Sequence, residues 1–250
     1  MQPVTSVRKS GVPIVTVSPP AALAAAALNA LTGAMRVVIA GGHGKIALIL
    51  ERLLAEAGHE PVAIIRNPDQ RADIDATGAV AVVLDLEHAS VDEVGQVLKN
   101  ADAAVFAAGA GPGSTAERKF TVDRDAAILL ADAAEAAGVP RLVVVSAIGT
   151  DDFDPESDDI FQLYSRAKSE ADASVRERDL DWTIVRPGGL TNDPGTGRVH
   201  VGTSVTRGRI PRADVAATIA ALLDTGAASR TQFELVAGDD PIVEALATLG

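Results

Sequence analysis

Cysteine is absent from the 250 residues, which excludes disulfides, thiolate nucleophiles and thiolate metal sites. Aromatic residues are scarce at 3% of the chain, with a single tyrosine and a single tryptophan. Lysine is sparse too, occurring only at positions 9, 45, 99, 119 and 168. Basic residues as a class fall short of acidic ones, leaving a formal charge of −12. That balance argues against a nucleic-acid groove and against an anionic membrane surface as partner. Histidine supplies no metal site either: His43, His59, His88 and His200 are scattered, with no pair at ligand spacing. What is plentiful is alanine and valine, within an apolar total of 47%. Small side chains of this kind suit a core in which helices lie flat on a sheet.

The first 34 residues differ from the rest. They lack strand or helix patterning until an Ala-rich run after Pro20. Arg8-Lys9 followed by Ala22 to Ala30 loosely resembles a secretory leader, but Pro19-Pro20 and Asn29 interrupt the run. It is also too short to span a bilayer. A disordered extension is expected over 1–34, with Met35 an alternative start and the cytoplasm as the compartment. From Met35 onward, strand-length apolar runs alternate with helical patterns. Strands are expected at 36–40, 61–66, 79–86, 103–109, 141–147, 182–187 and 232–238. Helices are expected at 45–58, from Ser90 to about Leu98, at 120–137 and at 212–224. Strands apolar on both faces and alternating with helices predict a parallel sheet covered on both sides. The expected fold class is α/β, one doubly wound Rossmann-like domain over 35–250.

"VVIAGGHGKIA" sits where the first strand turns into the first helix. Residues without a β-carbon let the backbone approach a pyrophosphate, and the helix N-terminus offers free N–H groups and a positive dipole end. Gly41, Gly42, His43, Gly44, Lys45 and Ile46 are therefore candidate dinucleotide contacts. The second strand ends in Arg66 rather than an acid, and a guanidinium suits a 2′-phosphate, so NADP is the expected cofactor, with NAD as the alternative. Asp85-Leu86 closes the third strand, where a carboxylate could accept from the adenine amino group or serve its own turn. Ala107, Ala108 and Gly109 are small enough for the adenosine half to lie against them. The acid-dense run 151–159 reads as a solvated flap, and the turn-rich 186–211 as a substrate wall. Arg207 and Arg209 in that wall face an anionic substrate or solvent.

Tyr164 stands four residues before Lys168, so both fall on one helical face. The pair is either a proton donor with its tuning cation or an aromatic beside a solvated lysine. Several segments decide the direction taken: "GGHGKIA", "IIRNP", "VVLDLE", "VVVSAIG", "YSRAKSEAD", "LDWTIVRPGGLT" and "PRADVAATIAALL". Together they resemble the short-chain dehydrogenase/reductase superfamily, in its atypical or extended NAD(P)H-binding branch (NmrA-like proteins and relatives labelled sugar-nucleotide epimerases). The resemblance runs from about Met35 to Ala245. It implies Ser146, Tyr164 and Lys168 as catalytic serine, tyrosine and lysine, and Pro187-Gly188 as the turn beside the nicotinamide. The asparagine that usually completes the set has no counterpart; Asp123 lies in its region with different chemistry.

In such a site the tyrosine gives a proton to a carbonyl oxygen as hydride reaches the carbon. A nearby cation is needed to bring its pKa down, and Lys168 would supply it while binding the nicotinamide ribose. Ser146 would hydrogen-bond the same oxygen. The expected function is an NADP-preferring oxidoreductase acting on a small carbonyl or alcohol. Two alternatives stand beside it: a flavin- or quinone-type NADPH reductase, and a dinucleotide-binding redox sensor without turnover. The expected partner is a small-molecule substrate, and an oligomer is compatible with the sequence.

Overall fold

The structure is a computed structural model in which residues 33–111 and 113–249 are described. The expectation for 1–34 lies outside the described residues, apart from Gly33 and Ala34. The unit that begins at Ala34 is built on a nine-stranded sheet. Its strands are β1 (Arg36–Ala40), β2 (Glu60–Ile65), β3 (Val80–Val83), β4 (Ala103–Phe106), β5 (Arg141–Val145), β6 (Asp181–Pro187), β8 (Arg198–Gly202), β10 (Thr231–Ala237) and β11 (Asp240–Pro241). Their order across the sheet is β11-β8-β10-β6-β5-β4-β1-β2-β3. The seven neighbours β10-β6-β5-β4-β1-β2-β3 run parallel, while β8 pairs antiparallel with β10 and β11. The α/β Rossmann-like class expected from the sequence is thus the observed one.

Strand periodicity builds two cores from one sheet. Val37 and Ile39 of β1 face one side, with Leu50 and Leu54 of helix α1 (Lys45–Glu56) and Ile219 of the helix Arg212–Thr225. Val38 and Ala40 face the other side, with Leu130 and Ala134 of the helix Ala126–Ala137 and Val175 of the helix Ile160–Arg176. Successive side chains of a strand point to opposite faces, so a strand buried on both must be apolar throughout. Burying one leucine such as Leu50 contributes roughly 1.5–3 kcal/mol. Alanine at 126, 127, 131, 133 and 134 lets its helix lie close against the sheet, and Gly138, at φ 69°, closes it in the left-handed region.

Two segments depart from the expected pattern. The single helix expected over 120–137 is three pieces: a turn at Ala116–Arg118, a π-helix at Lys119–Asp125, and the α-helix from Ala126. The wider π turn presents Lys119, Val122 and Asp123 to the interior. The turn-rich segment 186–211 holds β7 (Gly189–Thr191) and β9 (Arg209–Pro211), which pair with each other, as well as β8. Its chain is fixed by Asp214, whose buried carboxylate accepts from the backbone N–H of Thr196 at 2.9 Å and of Gly197 at 2.8 Å. No described helix is long and apolar enough to cross a membrane.

Candidate functional site

Two cavities open at the carboxyl ends of the parallel strands, and both are walled by Ala107, Ala108 and Gly109 after β4. The smaller, about 400 Å³, lies between the glycine loop and the ends of β2 and β3. Gly41, at φ 80°, can form this turn because its missing Cβ would fall 2.5 Å from Ala108 Cα. No side chain caps helix α1, so its first N–H groups stay available beside Gly44. Gly41, His43 and Gly44 border this cavity. Gly42 does not; it packs on β2, where a Cβ would meet Ala63 Cβ at 2.5 Å. Lys45 is exposed and borders neither cavity, whereas Ile46 reaches the larger one.

At the far end of the smaller cavity, Glu87 gathers two guanidinium groups. Its carboxylate accepts from Arg66 Nη1 at 2.8 Å, Arg118 Nη2 at 2.8 Å and Thr121 Oγ1 at 2.6 Å. The hydrogen bond from Arg118 holds the Glu87 carboxyl below its ordinary range, with Thr121 and Arg66 adding to the effect against burial. Arg66 gives Glu87 only one of its five N–H donors, and its side chain is 55% exposed. Its remaining donors suit a phosphate. Asp85 and Leu86 also border the cavity, but the Asp85 carboxylate is engaged by its own turn. Oδ1 accepts from Glu87 N at 3.1 Å and Oδ2 pairs with His88 Nδ1 at 3.0 Å. Asp85 thus makes the contacts of a turn residue while bordering the cavity.

The larger cavity, about 680 Å³, brings Ser146, Tyr164 and Lys168 together with Lys119 and Asp123. Its outer edge is Asp159, Ile160 and Phe161, where Asp159 caps the helix by accepting from Phe161 N at 2.9 Å and Gln162 N at 3.2 Å. That end of the acid-dense segment borders the site. Of residues 186–211, Leu190 borders it; Pro187 and Gly188 are buried behind the wall, with Gly188 N donating to Leu235 O. Arg207 pairs with Asp152 at the surface, 3.6 Å apart.

The expected roles of the three residues change in detail. Lys168 Nζ donates to Val145 O at 3.2 Å and lies 3.6 Å from Asp123 Oδ1. Burial pushes the Tyr164 phenol above its ordinary value, and Asp123 and Asp172 push it further. The lowered pKa expected of Tyr164 is thus replaced by a raised one, because burial disfavours the phenolate and the Asp123 and Asp172 carboxylates add to that effect. Ser146 Oγ donates to Asp172 Oδ2 at 2.8 Å. The same oxygen receives Arg186 Nε at 2.9 Å and Nη2 at 2.7 Å, while Arg186 Nη1 reaches Asp151 at 2.6 Å. Burial opposes the Arg186 charge, but these bonds hold its pKa up.

Asp172, Arg186, Lys119, Arg118 and Glu87 were not candidates from sequence. Asp172 had a signal, since Tyr164, Lys168 and Asp172 recur every four residues along one helical face. Lys119 and Asp123 share that spacing, but an ordinary α-helix would not single them out.

The NAD(P)H-binding family model matches residues 41–226. A Bacillus subtilis protein named an uncharacterized sugar epimerase, YhfK, is 37% identical over 216 residues, covering 86% of this chain and all of its own. A Bacillus halodurans structure assigned as an NAD-dependent epimerase/dehydratase superposes with a TM-score of 0.79 at 38% identity, covering 86% of this chain and 100% of that one. The oxidoreductase ylbE from Lactococcus lactis gives a TM-score of 0.75 at 28% identity, covering 86% of this chain and 96% of that one.

Proposed function

We propose, from the premise that this chain belongs to the NAD(P)H-binding family, that it is an NADP-preferring oxidoreductase acting on a small carbonyl or alcohol substrate. The order Ser146, Tyr164, Lys168 supports placing it in the extended short-chain dehydrogenase/reductase branch. The observation that carries the reading is the wall Ala107–Gly109 common to both cavities. A ligand on that wall extends from the glycine loop and Arg66 at one end to Tyr164 at the other. The uncapped N-terminus of α1 suits its pyrophosphate, and the free Arg66 donors suit a 2′-phosphate.

Bound there, the dinucleotide supplies or accepts a hydride. The chain's own residues do the rest. Tyr164, kept protonated by burial and by Asp123 and Asp172, is in the state required of a donor. Its O–H bond breaks as the reduced carbonyl's oxygen takes the proton, and solvent restores it. Ser146 presents its oxygen to the cavity while its own proton is held by Asp172, so it orients the site and donates to substrate only if that bond switches. Ile46, Ile160 and Leu190 give the cavity apolar lining for the substrate's body.

A second reading, hydride transfer to a flavin or quinone without a proton from Tyr164, is favoured by the engaged serine, whose proton Asp172 holds. NADPH oxidation over a panel of ketones, aldehydes and quinones, with wild type and Tyr164→Phe, separates the two. Carbonyl reduction that depends on the hydroxyl supports the first; quinone reduction indifferent to it replaces it with the second.

A further inference from the structure

Lys119 opens the π-helix and is 7% exposed, yet among the described residues no carboxylate lies within ion-pairing distance of its ammonium. Nζ donates to Gly111 O at 2.9 Å and lies 5.4 Å from the centre of the Tyr164 ring. A carbonyl and a ring face offset only part of what an ammonium loses on leaving water. The acids that share its cavity are already engaged. Asp123 holds Lys168 and accepts from Ala110 N, and Asp159 caps its helix. The cavity therefore keeps a buried ammonium that no described carboxylate pairs. Around it the walls are apolar, from Ile46, Ile160, Phe161 and Leu190. Lys119 borders the larger cavity and not the smaller, so it sits on the Tyr164 side, away from the glycine loop.

Resting on the reading of this cavity as the substrate site, we propose that Lys119 selects a substrate bearing a carboxylate on an apolar body, an oxo acid or the matching hydroxy acid. The carboxylate completes the ion pair and stays chemically unchanged. The neighbouring carbonyl carbon gains the hydride and its oxygen gains the proton. Lys119 is then a specificity residue, distinct from the group that moves the proton.

The test uses phenylglyoxylate and its methyl ester, which differ in the charge that Lys119 reads. Both are titrated calorimetrically into the NADP+-loaded full chain, as wild type, Lys119→Gln and Lys119→Met, with thermal unfolding run on each to show that it folds. Wild type should bind the acid at least about tenfold more tightly than the ester, the scale of one charge-assisted contact. Both variants should bring that ratio close to one and leave NADP+ affinity within about threefold. Equal binding of acid and ester by wild type, no binding of the acid, or a preference that survives in a folded variant would overturn the proposal. So would a loss of NADP+ affinity with the acid preference intact, since Lys119 would then be serving the dinucleotide. If wild type bound neither NADP+ nor NADPH, the oxidoreductase reading would fail. Titrating the acid and ester into cofactor-free protein would still decide the role of Lys119.

Discussion

Replacing Glu51 with glutamine should flatten the pH dependence of stability. Glu51 lies on α1 directly beneath the glycine loop and is fully buried; a Cβ on Gly42 would come within 3.2 Å of its Oε1. One carboxyl oxygen accepts from Thr77 Oγ1 at 3.0 Å, and Oε1 has no partner. Burial raises its pKa from 4.5 to about 7, against the opposing effects of Thr77 and Arg52. The folded state thus binds a proton more tightly than the unfolded chain. Its contribution is fully present below about pH 4.5 and is lost as pH rises through about 7. At 1.36 kcal/mol per pKa unit, the whole window amounts to about 3 kcal/mol, most of it lost between pH 5 and 8. Glutamine keeps an acceptor for Thr77 and cannot ionise. Urea unfolding of wild type and Glu51→Gln at several pH values from 5 to 8 isolates the effect, because every other titrating group is common to both. The stability difference between them should move by roughly 2–3 kcal/mol in favour of the variant as pH rises. A difference constant with pH would refute the argument and place the Glu51 carboxyl in contact with water.

Tyr164→Phe removes only a hydroxyl, so NADPH affinity should persist while carbonyl reduction falls by at least about a hundredfold; full turnover would end the proton-donor role. Arg66→Asp should weaken NADPH by at least about tenfold more than NADH in paired calorimetric titrations, as attraction to a 2′-phosphate becomes repulsion. Asp172→Asn breaks a buried ion pair whose partner Arg186 cannot lose its charge, and should lower unfolding stability by about 2–4 kcal/mol, short of a complete loss because Asp151 still holds Arg186. A change under about 0.5 kcal/mol in denaturant unfolding would show that the pair contributes little.

Much of the frame was legible because local signals agreed with the global fold. Short apolar runs without polar alternation, bounded by turn residues, read as strands covered on both faces, as β1, β4 and β5 are, and glycine at 41 and 44 between strand and helix read as a dinucleotide loop. The antiparallel β8 was not legible. Its five residues lie among glycine, threonine and aspartate, and what places them is pairing with β10 more than thirty residues later. The π-helix escaped for a related reason. One extra residue in a turn leaves no periodic trace, yet it turns Lys119 and Asp123 inward.

The electrostatics of the site show where the limit lies. Ser146, Tyr164 and Lys168 are chemical types in an order, and order can be read along a chain. The proton affinity of Tyr164 depends on which other charges the fold brings near it. Asp123 comes from the π-helix and Asp172 from two turns farther along Tyr164's own helix; both raise the phenol, while Lys168 is occupied by Val145 O and Asp123. A tyrosine lowered toward neutrality would serve as base or acid equally well. One that is raised and buried holds its proton until an oxygen more basic than itself appears, and the alkoxide formed as hydride reaches a carbonyl is such an oxygen. A buried phenol of this kind suits the donor's part in the proposed reduction, and its proton affinity follows from burial and from side chains far apart in sequence meeting around one hydroxyl.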